Sequence, residues 1–196
     1  MDVSDEAAIV AGFGRALEAM DRVDTVVANA GIATQVPFTD MDIARYRKLI
    51  DVNLDGAVFT LREGARHMKA RAEAGDPGGS LIVCGSGAIF QGVPTMAHYG
   101  IAKGALNALA KALAAELGPI GVRCNVIAPG FIETEMTFAD PEQGRMIAEM
   151  VSARTPLGRA GKPADLEGAV VYLASDMSAY HTGDTLVVDG GKMSAN

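Results

Sequence analysis

Residues 80–103, SLIVCGSGAIFQGVPTMAHYGIAK, pass from an unbroken apolar run through a glycine-punctuated loop into a helix, and the reading of this unit decides the fold. The run Ser80–Cys84 does not alternate apolar with polar residues, the mark of a strand buried on both faces in a parallel sheet. From about Ala97, the residues Ala102, Ala105, Leu106, Leu109 and Leu113 recur at helical spacing until Gly118-Pro119 ends the helix. Ser86 closes the strand, and Tyr99 and Lys103 fall one turn apart on one helical face. A free tyrosine titrates near ~10, so making it a proton carrier at neutral pH requires about 3 units, or ~4 kcal/mol. One ammonium at ~4 Å contributes about 4 kcal/mol at an effective dielectric of ~20 and favours the phenolate. The spacing therefore leads to the expectation that Lys103 lowers the pKa of Tyr99 and fits it for acid/base work. A purely structural Tyr-x-x-x-Lys pair is the alternative when the spacing is taken alone.

Outward from this unit the same pattern repeats. Asp24–Gly31 (DTVVANAG), Val122–Ala128 (VRCNVIA) and Thr185–Asp189 are further buried strands. Ser4 is a plausible N-cap for a helix carrying Ile9, Val10, Phe13, Leu17 and Met20 inward. Gly12-Phe13-Gly14 lies inside that helix, with no strand leading into it, and is not read as a nucleotide loop. Thr39 and Asp42 form a possible capping pair for a long helix whose face runs from Tyr46 to Met68 and continues to about Arg71. Asn53 lies on that apolar face and needs partners, because an unpaired buried amide costs about 1–3 kcal/mol. It either bonds a kinked backbone or takes part in the chemistry. Phe131–Thr155 has weak periodicity and is expected to be a mobile lid, and Pro163–Ser175 is a short helix. Strands alternating with helices from Asp24 onward specify an α/β fold with a doubly wound parallel sheet, a single domain over residues 1–196.

With 196 residues and 49% hydrophobic content, the chain can bury a real core. Its net charge of −7 and lack of a Lys/Arg cluster argue against nucleic acid. No stretch of the sequence reaches the ~18 consecutive apolar residues of a membrane span, and the opening MDVSDEAA is acidic, so no membrane partner is expected and the chain is read as cytoplasmic. Cys84 and Cys124 fall in buried strands and read as small hydrophobes rather than as a disulfide. His67, His98 and His181 have no ligand spacing, so no metal site is expected, and His98 is placed at the surface or a pocket rim.

At Ser86, Tyr99 and Lys103, together with Asn29-Ala30-Gly31, Val52-Asn53-Leu54, Asn125–Thr134 (NVIAPGFIET) and Val188-Asp189-Gly190-Gly191, the chain resembles the short-chain dehydrogenase/reductase family, in ordered matches from end to end. The resemblance implies a Rossmann-like fold and hydride transfer between NAD or NADP and a secondary alcohol or ketone. It makes Tyr99 the general acid/base, Ser86 the group orienting the substrate oxygen, Lys103 a partner of tyrosine and nicotinamide ribose, and Asn53 the end of a proton relay. It further implies a cofactor lined by Asn29, Ala30, Gly31, Pro129, Gly130, Ile132 and Thr134, with Asp2 and Val3 at its adenine edge. Gln91, Val93, Phe131 and Met136 suit an apolar substrate pocket with one polar handle. The same resemblance implies a homodimer or homotetramer, with Ala108, Lys111, Ala112 and Ala115 leaving room for a partner helix.

The sequence departs from the family at its start. A Thr-Gly-x-x-x-Gly-x-Gly turn is not found, and Met1–Ser4 resembles the tail of the family's third strand, so two βα units, about 60 residues, are expected to precede it. Those units carry the phosphate cradle and the residue that selects NAD or NADP. Losing two charged hydrogen bonds and a helix-dipole contact would remove roughly 4–7 kcal/mol, or three to five decades of cofactor affinity. The expectations open at this point are an oxidoreductase, an inactive subunit acting through oligomerisation, and a redox-neutral isomerase or lyase using the same tyrosine.

Overall fold

The computed structural model describes residues 1–195. Four strands, β1 (Thr25–Ala28), β2 (Gly79–Cys84), β3 (Val122–Pro129) and β4 (Thr185–Val188), form a wholly parallel sheet in the order β1-β2-β3-β4. The register sets Val26 beside Leu81 and Leu81 beside Cys124, so equivalent positions share a face across three strands. The helices are α1 (Glu6–Met20), α2 (Ile43–Ile50), α3 (Gly56–Glu73), α4 (Ala97–Leu117), α5 (Pro141–Ser152) and α6 (Ala164–Ala174).

The two faces of the sheet are covered unequally. On one, Val26, Leu81, Val83, Val122, Cys124 and Val126 pack against Leu61 and Met68 of α3 and Leu106, Ala110 and Ala114 of α4, with Phe13 and Leu17 of α1 alongside. On the other, Ile82 and Ile127 meet Leu173, Leu166 and Val170 of α6. This is the doubly wound α/β arrangement the alternation of elements leads one to expect. Each step from β1 to β4 moves across the sheet in the same direction, yet α6 lies on the face opposite α3 and α4. The third crossover is therefore of opposite hand to the first two, against the strong preference for one hand. The long connection between β3 and β4, which carries both α5 and α6, gives the chain room to change faces.

Several boundaries differ from the sequence reading. Asp5, not Ser4, caps α1, accepting from the N–H groups of Ala7 at 2.9 Å and Ala8 at 3.3 Å. Ser4 instead donates from its N–H and its hydroxyl to Asp2, in a turn at Val3-Ser4. Asp42 alone caps α2, receiving the Arg45 N–H at 2.8 Å. The long helix expected from Asp42 to Arg71 runs without a gap from Ile43 to Glu73, but passes through a π-helical stretch at Asp51–Asp55, which contains Asn53. Within the expected lid lies α5, capped by the carboxylate of Asp140 with Pro141 in its first turn. That pairing is a helix start, because proline has no N–H to leave unsatisfied there. No helix among the described residues is long and apolar enough to cross a membrane.

Candidate active site

Because the sheet is parallel, the carboxyl ends of all four strands open on one side, where ligands of open α/β sheets bind. β2 delivers Ser86, whose hydroxyl accepts the Ala88 N–H at 3.1 Å and starts a short turn. The loop that follows leads to α4 through Thr95, a β-branched residue held at φ +67°, in the left-handed region. Tyr99 is half-buried and packs against the cluster of Leu49, Ile50 and Ala102, which Ile32, Tyr46 and Leu54 also border. Burial raises its pKa above the usual tyrosine value, and the neighbouring Ser86 side chain works in the opposite direction.

Lys103 is buried, at 4% exposure, and donates to the carbonyl oxygen of Cys84 at 2.7 Å. Its ammonium lies 5.8 Å from the centre of the Tyr99 ring, so the two do share a helical face. The electrostatic expectation is nevertheless not what dominates. Lys103 is aimed at the strand-end carbonyl, its own pKa is lowered by burial, and desolvation outweighs the opposing effect of Ser86 at Tyr99. Asn53 is fully buried, and both ends of its amide are engaged by Ile32, donating to its oxygen at 2.8 Å and accepting from its nitrogen at 2.8 Å. This is the backbone-fastening contact that a buried asparagine at a kink allows. It holds Gly31 so close that a Cβ there would lie 3.4 Å from the Asn53 Oδ1 and 3.6 Å from the Lys103 Nζ.

Asn29 and Ala30 are exposed immediately after β1, beside this cluster. Pro129 ends β3, with its carbonyl against Gly87; Gly130 donates to the Val188 carbonyl at 2.9 Å and packs on Asp189. Ile132 is buried and bridges to Gly161, while Thr134 lies in an exposed loop closed by the Thr137 hydroxyl. Val3 packs against Gly56, where the π-turn passes into α3, and Asp2 is spent on its own turn. Of the expected substrate-pocket residues, Gln91, Val93 and Met136 are exposed and Phe131 is half-buried. His98 is not at the surface. It is fully buried, its Nε2 2.7 Å from the Thr34 hydroxyl, because the loop after β1 folds over the start of α4 and donates the Val36 N–H to the Thr95 carbonyl. The two cysteines are free, and burial pushes the Cys124 thiol up to about 12. No cluster of three or more His, Cys, Asp or Glu among the described residues is placed to hold a metal ion.

The sequence reading passed over two cations. Arg154 and Lys192 line a groove of about 520 Å³ together with Gln91 and Thr155. The signal for Lys192 was its position directly after the turn-forming Asp189-Gly190-Gly191.

A family model described as "Enoyl-(Acyl carrier protein) reductase" matches residues 1–193. Among curated relatives, the L-rhamnose 1-dehydrogenase (NAD(P)(+)) of Azotobacter vinelandii is 42% identical over 176 residues, covering 90% of this chain and 67% of the relative. The NADP-dependent (R)-specific alcohol dehydrogenase of Lentilactobacillus kefiri is 41% identical over 194 residues, covering 97% and 74%. Among solved structures, a gluconate 5-dehydrogenase from Burkholderia cenocepacia in complex with NADP and tartrate superposes with a TM-score of 0.92 at 34% identity, covering 100% of this chain and 74% of that one. Fold, strand-end serine and Tyr–Lys helix define a Rossmann-like oxidoreductase scaffold, and the chain belongs to the short-chain dehydrogenase/reductase family.

Proposed function

We propose that this chain is an NAD(P)-dependent oxidoreductase acting on a secondary alcohol or its ketone. The observation that carries the proposal is the convergence of Ser86, Tyr99, Lys103 and the Asn53-fastened Gly31 at the carboxyl ends of β1 and β2. In this reading the nicotinamide supplies or takes the hydride. The phenol of Tyr99 gives or takes the proton of the substrate oxygen, and the Ser86 hydroxyl orients that oxygen. Lys103, now bonded to the Cys84 carbonyl, would hold the cofactor ribose, and its charge would favour the phenolate of Tyr99. Asn53 fixes the backbone behind it and completes the proton path. Asn29, Ala30, Gly31, Pro129, Gly130, Ile132 and Thr134 would hold the cofactor, with Asp2 and Val3 toward its adenine end. Relatives whose names specify a sugar, an alcohol and a sugar acid support a hydroxylated small molecule as substrate.

One observation favours a second reading, a subunit without turnover. The N-termini of α1, α2 and α5 are each closed by their own aspartate, Asp5, Asp42 and Asp140, so these three are not open to a dinucleotide phosphate, while α4 and α6 start without a side-chain cap. Titration with NADH and NADPH separates the two readings. Saturable binding with a micromolar dissociation constant supports the oxidoreductase, and no saturation below about 1 mM supports the subunit. Both readings include association into a dimer or tetramer through the outer faces of α3 and α4, where Ala108, Lys111, Ala112 and Ala115 are exposed. Light scattering at micromolar concentration is expected to give a mass of at least two chains, and a stable monomer would remove this part of the proposal.

A further inference from the structure

The groove lined by Gln91, Ala153, Arg154, Thr155, Pro156 and Lys192 lies beside the Ser86 loop and is built from three separate parts of the chain. Gln91 belongs to the loop that leaves Ser86. Arg154 follows α5. Lys192 is presented by the turn after β4, and that turn is rigid for identifiable reasons. The two oxygens of Asp189 accept the N–H groups of Gly191 and Met193, each at 2.8 Å. Gly190 at φ +69° and Gly191 at φ +86° occupy the left-handed region, where a side chain would be strained. A Cβ on Gly191 would also come within 3.0 Å of the Pro156 ring. Next to Lys192, the sulfur of Met193 lies 3.8 Å from where a Cβ on Gly87 would be, which ties the turn to the residue after Ser86.

The charge in this groove is one-sided. The protein carries a net −7, yet the lining holds Arg154 and Lys192 and no acidic side chain, the Asp189 carboxylate nearby being taken up by the backbone N–H groups of its own turn. Neither side chain is in an ion pair among the described residues, so both remain available to a ligand. Two unpaired cations and a primary amide in one concave site, joined to the Ser86 loop through Gln91 and through Met193 against Gly87, suit an oxyanion, because charge-assisted hydrogen bonds to a carboxylate are the strong ones. We infer that this groove receives a carboxylate carried by the substrate, so that the molecule oxidised or reduced at Ser86 and Tyr99 is a hydroxy acid or its keto form. The inference rests on the oxidoreductase reading for the reaction but not for the binding.

The test therefore measures binding. Isothermal titration of the protein with D-gluconate and, separately, with sorbitol, a neutral polyol of the same carbon count, is expected to give at least tenfold tighter binding of the carboxylate. The preference should shrink in high salt and fall to threefold or less in Arg154→Gln and in Lys192→Gln. Both side chains lie at the groove surface, and thermal melting checks that each variant is folded. Equal affinity for the two probes, or a preference untouched by both substitutions, overturns the inference. Inorganic phosphate displacing gluconate at lower concentration than gluconate binds would also overturn it, by making the groove a phosphate site. None of these outcomes requires turnover, so failure of the NAD(P)H titration would leave this result standing, and the reverse holds as well.

Discussion

Tyr99→Phe is expected to lower the turnover of a secondary alcohol with NAD(P)+ by 10² or more while leaving cofactor affinity within a few-fold. The substitution removes one oxygen and keeps the ring, the apolar part of a side chain that borders the Leu49, Ile50 and Ala102 cluster. The fold therefore has little to lose. A positioned acid/base contributes about 10²–10⁴ in rate, so the smallest effect consistent with the role corresponds to about 2.7 kcal/mol of transition-state stabilisation. The pH dependence adds a second criterion. Burial holds Tyr99 above the usual tyrosine value in this structure. Alcohol oxidation needs the phenolate, so its rate in the wild-type chain should climb as pH rises from neutral toward the alkaline range. Carbonyl reduction needs the phenol and should be flat over the same interval. The Phe variant should lack the rise in the oxidation direction. Activity within threefold of wild type, or an unchanged pH profile, would withdraw Tyr99 from the proton step.

The parts of this molecule that could be read in its sequence are those where a local pattern has a single physical cause. Parallel strands covered on both faces must be apolar throughout, so Ser80–Cys84 and Val122–Ala128 stand out without any knowledge of their neighbours. The Tyr99–Lys103 spacing is fixed by the pitch of a helix. What could not be read depends on partners distant in the chain. Arg123 and Asn125 interrupt an apolar strand with no local reason, and the reason lies on the α6 face. Arg123 donates to the Leu173 carbonyl at 2.8 Å, to the Ser178 hydroxyl and to the Ser175 carbonyl at 3.2 Å, and Asn125 donates to the His181 carbonyl at 2.8 Å. These are the orphan carbonyls at and beyond a helix C-terminus, met by polar groups rising from the sheet. The burial that raises Tyr99 is likewise tertiary, supplied by α2 and by the loop after β1, and a pairwise estimate from spacing alone leaves it out. Nor does any residue announce the hand of the third crossover, because a pattern of burial says that a helix covers the sheet and not which face it covers.

That crossover makes Leu173 the position where substitution should cost the fold most. One face of the sheet spreads its burial over α1, α3 and α4, whereas the other relies on α6. Leu173 is fully buried at the centre of that contact, between Ile82 and Ile127. Its carbonyl is held by the Ser80 hydroxyl at 2.7 Å and by Arg123, so the backbone cannot readily slide to refill a space left by the side chain. A Leu→Ala change in a well-packed core costs about 2.7–5 kcal/mol, more when the site cannot collapse, and the pinned backbone puts this one at about 4 kcal/mol. For a chain of this size each kcal/mol moves the melting temperature by about 2–4 °C, so a fall of roughly 8–16 °C is expected. In urea the midpoint should drop without a change in slope, the mark of lost stability rather than an altered unfolded state. Leu173→Met, which keeps most of the volume, should cost under about 1.5 kcal/mol. A loss below 1 kcal/mol for Leu173→Ala would mean that α6 does not hold its face of the sheet, and the opposite-handed crossover would then lack the packing that keeps it in place.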